Sequence, residues 1–153
     1  MKFIKFFVLA FILIFYPNIS FSKIISINKF LNGSNYQKDI PTEYYTLNRC
    51  NAVFISASSI FAKKKNKKMQ LKLKGKAKII TTKIMILYTK KNKIKMPTDM
   101  NDPIINDMQQ ELLNIQKKYI DFYVQKENYE QKGNKHLIKG IFLEDVKFCN
   151  SIN

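Results

Sequence analysis

Apolar residues recur at alternating steps of three and four along two long stretches of this chain, a spacing that predicts amphipathic helices. The longer stretch runs from Asp102 to about Gln131. Ile105, Met108, Leu112, Ile115, Tyr119, Phe122 and Tyr129 hold its seam, broken only by Lys126. Asp102-Pro103 supplies an N-cap acid and a proline at the first helical position, and Gly133-Asn134 supplies the stop. Because its aromatics lie on the seam, they read as core rather than as a ligand cage. The second stretch runs from Asp39 to about Lys64. Pro41 stands early, and Leu47, Cys50, Phe54, Ala57 and Phe61 form the stripe, widened by Val53 and Ile60. Asn48, Arg49, Asn51, Ser56, Ser58 and Ser59 are left for its outer and flanking faces. A shorter helix is expected from about Lys135 to Asn150, carried by Leu137, Ile138, Ile141, Phe142, Phe148 and Cys149, with Gly140 a weak point in its interior.

Between these lies a stretch with two conflicting periods. Leu71 to Ile79 alternates apolar or small residues with lysine, which is a strand signal. Ala77, Ile80, Ile84 and Leu87 repeat at helical steps. A helix is preferred, with a β-hairpin over about 69–91 as the rival. The chain from Lys93 to Asp102 reads as a loop marked by Pro97, and residues 23–38 as an irregular leader. In that leader Ile24, Ile25, Ile27, Phe30 and Leu31 are able to pack down locally. The fold class that follows is all-α: a small antiparallel bundle of three or four helices over 39–153. The alternative is α+β, with the hairpin at about 69–91.

The remaining apolar run is of another kind. Phe6 to Tyr16 follows Lys2 and Lys5 and precedes Pro17, Ser20 and Ser22. It is too short for the roughly 20 residues of a membrane-spanning helix. The pattern is that of a secretory signal peptide over 1–22, cut after Ser22. The expected location is therefore exported, periplasmic or extracellular, with no transmembrane span in the mature chain. Two cysteines, Cys50 and Cys149, then read as one disulfide that pins the last helix to the first.

Charge changes the picture most. The chain carries a formal net charge of +16. Arg49 is its only arginine, and a lysine-favouring composition bias accounts for part of the excess. It does not account for the placement. Tyr44 to Thr98 holds Arg49 and fourteen lysines with no acidic residue, whereas Asp99 to Asn153 is slightly acidic. Lys63, Lys64, Lys65, Lys67, Lys68, Lys72, Lys74, Lys76 and Lys78 are the candidate contacts to an anionic surface. Part of that cluster, 63–68, also reads simply as a solvated helix end, where cations suit the negative pole of the macrodipole.

Catalytic patterns are missing. His136 is the only histidine, so no multi-histidine metal site exists, and no cofactor or metal is expected. Nothing matches a nucleophile elbow, a Walker loop or a dinucleotide fingerprint. Glu144 and Asp145 are adjacent carboxylates, but helical neighbours diverge by about 100° and do not form a facing pair. The sequence therefore points away from an enzyme. It points toward an exported helical interaction module whose lysine-rich half meets lipid headgroups, acidic polysaccharide or an acidic protein. Export and the single arginine argue against nucleic acid as the physiological partner. The alternative is a structural or accessory protein of the envelope or of a secreted assembly, its lysines only solubilising.

Overall fold

The structure is a computed structural model that describes residues 24–63, 65–97, 99, 102–125, 129–132 and 135–152. The apolar run 6–16 and the expected cut after Ser22 lie outside the described residues. The elements are α1 (Ile27–Leu31), α2 (Ile40–Lys63), α3 (Lys67–Asn92), α4 (Pro103–Tyr123), β1 (Tyr129–Lys132), β2 (Lys135–Ile138) and α5 (Gly140–Ser151). The result is an all-α bundle tied by one disulfide, carrying a short antiparallel β1–β2 ribbon in which Tyr129 pairs with Ile138 and Gln131 with His136. Helix α2 is the axle. It packs against α3, α4 and α5, and α1 packs against α5.

Local chemistry starts the helices where the sequence implies. Asp39 Oδ1 accepts from the Thr42 amide at 2.7 Å ahead of α2, and this bond lowers the Asp39 carboxyl from its ordinary value. Asn66 Oδ1 accepts from the Met69 amide at 3.1 Å, and Asp102 Oδ1 from the Ile104 amide at 2.9 Å. Between α2 and α3, Lys65 adopts φ 58°. Its amide donates to the Ala62 carbonyl and the Asn66 amide to the Phe61 carbonyl, which closes the last turn of α2 as a Schellman motif.

The ambiguous segment is helix α3. Leu73, Ala77, Ile80, Ile84 and Leu87 are buried against α2, while Leu71 points outward, so the helical repeat prevails over the alternation. No hairpin forms over 69–91.

Three expectations need correction. The helix from Asp102 ends at Tyr123, not near Gln131, and Tyr129–Lys132 is a strand. After Tyr123 the seam offers no apolar side chain until Tyr129, so packing gives the next turn nothing to hold. The seam also drifts, because 3.6 residues per turn do not keep a seven-residue repeat on one line. Gln116 and Tyr123 are buried, while Ile115 and Phe122 are half-buried. The last helix starts at Gly140 rather than about Lys135, and Lys135–Ile138 is β2. Gly140 does not weaken a helix interior. It takes φ 57° at the strand-to-helix junction, a conformation glycine adopts without a Cβ penalty.

The third correction concerns α2. Asn48, Arg49, Asn51, Ser56 and Ser58 are buried rather than on outer faces, and Ser59 alone of the six stays exposed. A helix enclosed on several sides has little outer face, so its polar groups turn to its neighbours. Asn51 Nδ2 donates to Thr81 Oγ1 at 2.6 Å, and Gln116 Nε2 to Asn48 Oδ1 at 3.4 Å. The leader, expected to be irregular over 23–38, forms helix α1 at Ile27–Leu31 and is anchored by it. Ile27 is fully buried and Leu31 nearly so, while Ile25 and Phe30 remain exposed.

Candidate functional site

Two constellations stand out, one sealed in the core and one on the surface. The sealed one forms around Arg49 of α2 and Asp145 of α5, which are 1% and 0% exposed. Arg49 Nη2 lies 2.6 Å from Asp145 Oδ2. Arg49 Nε donates to the Tyr123 hydroxyl at 2.9 Å, and Nη1 reaches the Tyr45 hydroxyl at 3.5 Å. Tyr123 donates in turn to the same Asp145 oxygen at 2.5 Å. The other oxygen, Oδ1, accepts from the Ile27 amide at 2.7 Å. One carboxylate therefore joins α1, α2, α4 and α5. The Arg49 guanidinium also lies 5.1 Å from the centre of the Tyr119 ring, and Tyr123 stacks on Phe142 at 4.7 Å.

Burial sets the electrostatics of this cluster. It pushes the Asp145 carboxyl upward, while Arg49, the Tyr123 hydroxyl and the Ile27 amide pull it back down. Burial also opposes the Arg49 charge, but Tyr123 and Asp145 outweigh it and hold the guanidinium more firmly protonated than usual. Burial raises the Tyr123 phenol far above its ordinary value, and raises Tyr119 with help from its 2.6 Å bond to Tyr45. Such groups would suit acid–base chemistry in an open cleft. Here the charged pair turns inward and is closed off from solvent, so the arrangement works as a polar clasp.

The disulfide sits beside the clasp. Cys50 follows Arg49, and Cys149 lies one helical turn beyond Asp145. Their Cα atoms are 5.4 Å apart, with 99 residues of sequence separation. Sequence reasoning found the disulfide and missed the clasp. The one available signal was that α2 and α5 each place an ionisable residue within a turn of a cysteine, which an expected disulfide would bring together.

The surface constellation is basic. Lys63 ends α2 and Lys65 occupies the turn, both exposed; Lys64 lies outside the described residues. Lys67 and Lys68 open α3, and Lys72, Lys74 and Lys78 continue along it, all exposed. Lys76 is half-buried instead and leans toward α5. It donates to Asn150 Oδ1 at 2.8 Å and lies over the Phe54 ring at 5.4 Å. The cluster 63–68 is a helix end only in part, with Lys63 in the last turn of α2 at its negative pole. It straddles two helices, and Lys67 and Lys68 stand at the positive pole of α3, where no acid joins them in the first turn.

Lys83, Lys90 and Lys91 extend this basic helix, which has nine lysines and no acidic residue. Lys91 bonds to Glu111 of α4 at 2.9 Å, the one carboxylate ion pair on α3 among the described residues. A shallow cleft of about 190 Å³ opens toward its C-terminal half, lined by Tyr36, Glu43, Lys83 and Lys90 among others. Among the described residues, the N-terminal half of α3 has no ion pair with an acid. Among the described residues no group of three or more His, Cys, Asp or Glu could hold a metal ion, and no helix is long and apolar enough to cross a membrane. Comparison of the chain with models of known families, with curated proteins and with solved structures found no match in any of the three.

Proposed function

We propose that this chain is an exported helical interaction module that binds an anionic surface through the outer face of α3. The observation that carries this reading is the contrast between the two constellations. The buried guanidinium is matched by a carboxylate and hydroxyls, whereas among the described residues the exposed lysines of α3 form an ion pair with one acid, Glu111. A bundle that needed only solubility is served by mixed charges. A helix with nine lysines and no acid creates a one-sided field that attracts polyanions. Each lysine near an anionic membrane adds about 1 kcal/mol, so the face binds without a pocket. Export is supported by the N-terminal pattern and suits the buried Cys50–Cys149 disulfide.

The test is retention on heparin and sedimentation with anionic vesicles over a salt series. Binding should weaken steeply with salt. Lys68→Gln, Lys72→Gln and Lys78→Gln together should lower vesicle affinity about a hundredfold, at about 1 kcal/mol for each lysine. Far-UV circular dichroism should stay unchanged, because all three side chains are exposed. Salt-insensitive binding, or none at low salt, would refute the reading, and capture of one specific protein partner would favour an accessory role.

A further inference from the structure

The outer face of α3 is not uniformly polar. At 100° per residue, the buried Leu73, Ala77, Ile80, Ile84 and Leu87 define the direction toward α2. Leu71, Ile79 and Ile86 fall about 20°, 60° and 40° from the opposite direction. They are 57%, 61% and 40% exposed. Gly75 and Thr82 share the same strip, and Lys68 stands at its N-terminal end. Lys72, Lys83 and Lys90 run down one flank, and Lys67, Lys74 and Lys78 down the other. Helix rise sets Leu71 and Ile86 about 22 Å apart.

A strip of aliphatic side chains between two rows of lysine is the pattern of a helix lying in a membrane interface. The apolar centre enters the boundary of the acyl chains, while lysine stems lie along it and carry their ammonium groups back to the lipid phosphates. An acidic polysaccharide matches the lysines and leaves the aliphatic strip with nothing apolar to meet. An anionic bilayer matches both. The inner face of α3 is fixed on α2, so the strip is presented outward in the folded domain.

We infer that α3 seats the domain on an anionic lipid bilayer, with Leu71, Ile79 and Ile86 dipping into the interface. The inference rests on the basic-face reading above and adds the partner and the depth of contact. The chain contains no tryptophan, so one introduced tryptophan reports on one place. In the full chain, Ile79→Trp is compared with Leu113→Trp, whose site on α4 is 59% exposed. With phosphatidylglycerol-containing vesicles, emission from Ile79→Trp should shift to the blue and be quenched by lipids with brominated chains. Leu113→Trp should respond to neither, and pure phosphatidylcholine vesicles should move neither reporter. Leu71→Gln with Ile79→Gln should weaken vesicle partition about tenfold and leave heparin retention unchanged.

Sedimentation with anionic vesicles while Ile79→Trp stays unshifted would overturn the inference and leave the basic-face reading standing. Equal shifts at both sites would also overturn it. Heparin retention without vesicle binding would replace lipid by polysaccharide. Loss of both kinds of binding would remove the basic-face reading itself.

Discussion

Replacing Asp145 by alanine removes one acceptor from three donors at once: Arg49 Nη2, the Tyr123 hydroxyl and the Ile27 amide. The largest consequence is the guanidinium left buried without its counter-ion. Removing one partner of a buried ion pair costs about 3–5 kcal/mol. The orphaned amide and hydroxyl add to this, at about 1–3 kcal/mol for an unsatisfied buried group. These contributions overlap, so Asp145→Ala should cost about 5 kcal/mol. That is comparable to the whole stability of many domains, which lies at about 5–15 kcal/mol. The contrast that isolates the mechanism is Arg49→Met with Asp145→Leu. This pair removes both charges and keeps apolar volume in place, so it should cost no more than about 2 kcal/mol, most of it from Ile27 and Tyr123. Equilibrium urea unfolding followed by far-UV circular dichroism, with the disulfide intact, measures both. A loss below about 1 kcal/mol for Asp145→Ala would refute the clasp. So would a double variant as damaged as the single one, because the cost would then come from lost polar contacts and not from an unpaired charge.

Other outcomes follow from the same geometry. Reducing the Cys50–Cys149 bond should destabilise the bundle by about 4–5 kcal/mol, since it opens a closed loop of about 100 residues. Intact mass should rise by about 2 Da on reduction, which denaturant midpoints with and without reductant can be set beside. Tyr44, Tyr119 and Tyr123 are buried with phenols raised above their ordinary value, chiefly by burial. Their neutral forms are therefore favoured by the fold. The stability this gives is fully present below about pH 10, where the unfolded phenols are also protonated, and declines as pH rises beyond it. Each phenol still held protonated costs about 1.4 kcal/mol for every further pH unit. Ultraviolet titration should show these three ionising together with unfolding, and independent ionisation in the native state would disprove the argument. Gly75→Ala should stabilise α3 by about 0.5–1 kcal/mol, read as a higher denaturation midpoint. A Cβ there meets nothing within 4 Å, and the position is exposed.

What could be read along the sequence was what periodicity and capping determine locally. The starts at Asp39 and Asp102, the core face of α2 and the pairing of Cys50 with Cys149 depend on spacing and residue type alone. The ends of α4 and α5 were misplaced because tertiary support decides them. Lys126 breaks the seam, and Gly140 is a junction residue whose positive φ leaves no trace in periodicity. The burial of Asn48, Arg49 and Asn51 was illegible for a related reason. A helical wheel shows which face is polar, and a surrounding bundle decides whether that face meets water. The basic strip was half legible. Its lysines were countable, but Lys83 and Lys90 align with Lys72 only once the segment is known to be helical.

The clasp has a consequence for when this fold becomes complete. Its central carboxylate comes from residue 145, while the groups it satisfies begin at Ile27, 118 positions earlier. A chain growing from the N-terminus therefore reaches the residue that makes the burial of Arg49 tolerable only 96 positions after Arg49 itself. Until α5 docks, closing α2 around the unpaired cation costs about 3–5 kcal/mol, and the first amide of α1 lacks its carboxylate acceptor. The cysteine that seals the bundle follows only four residues after the acid that organises it.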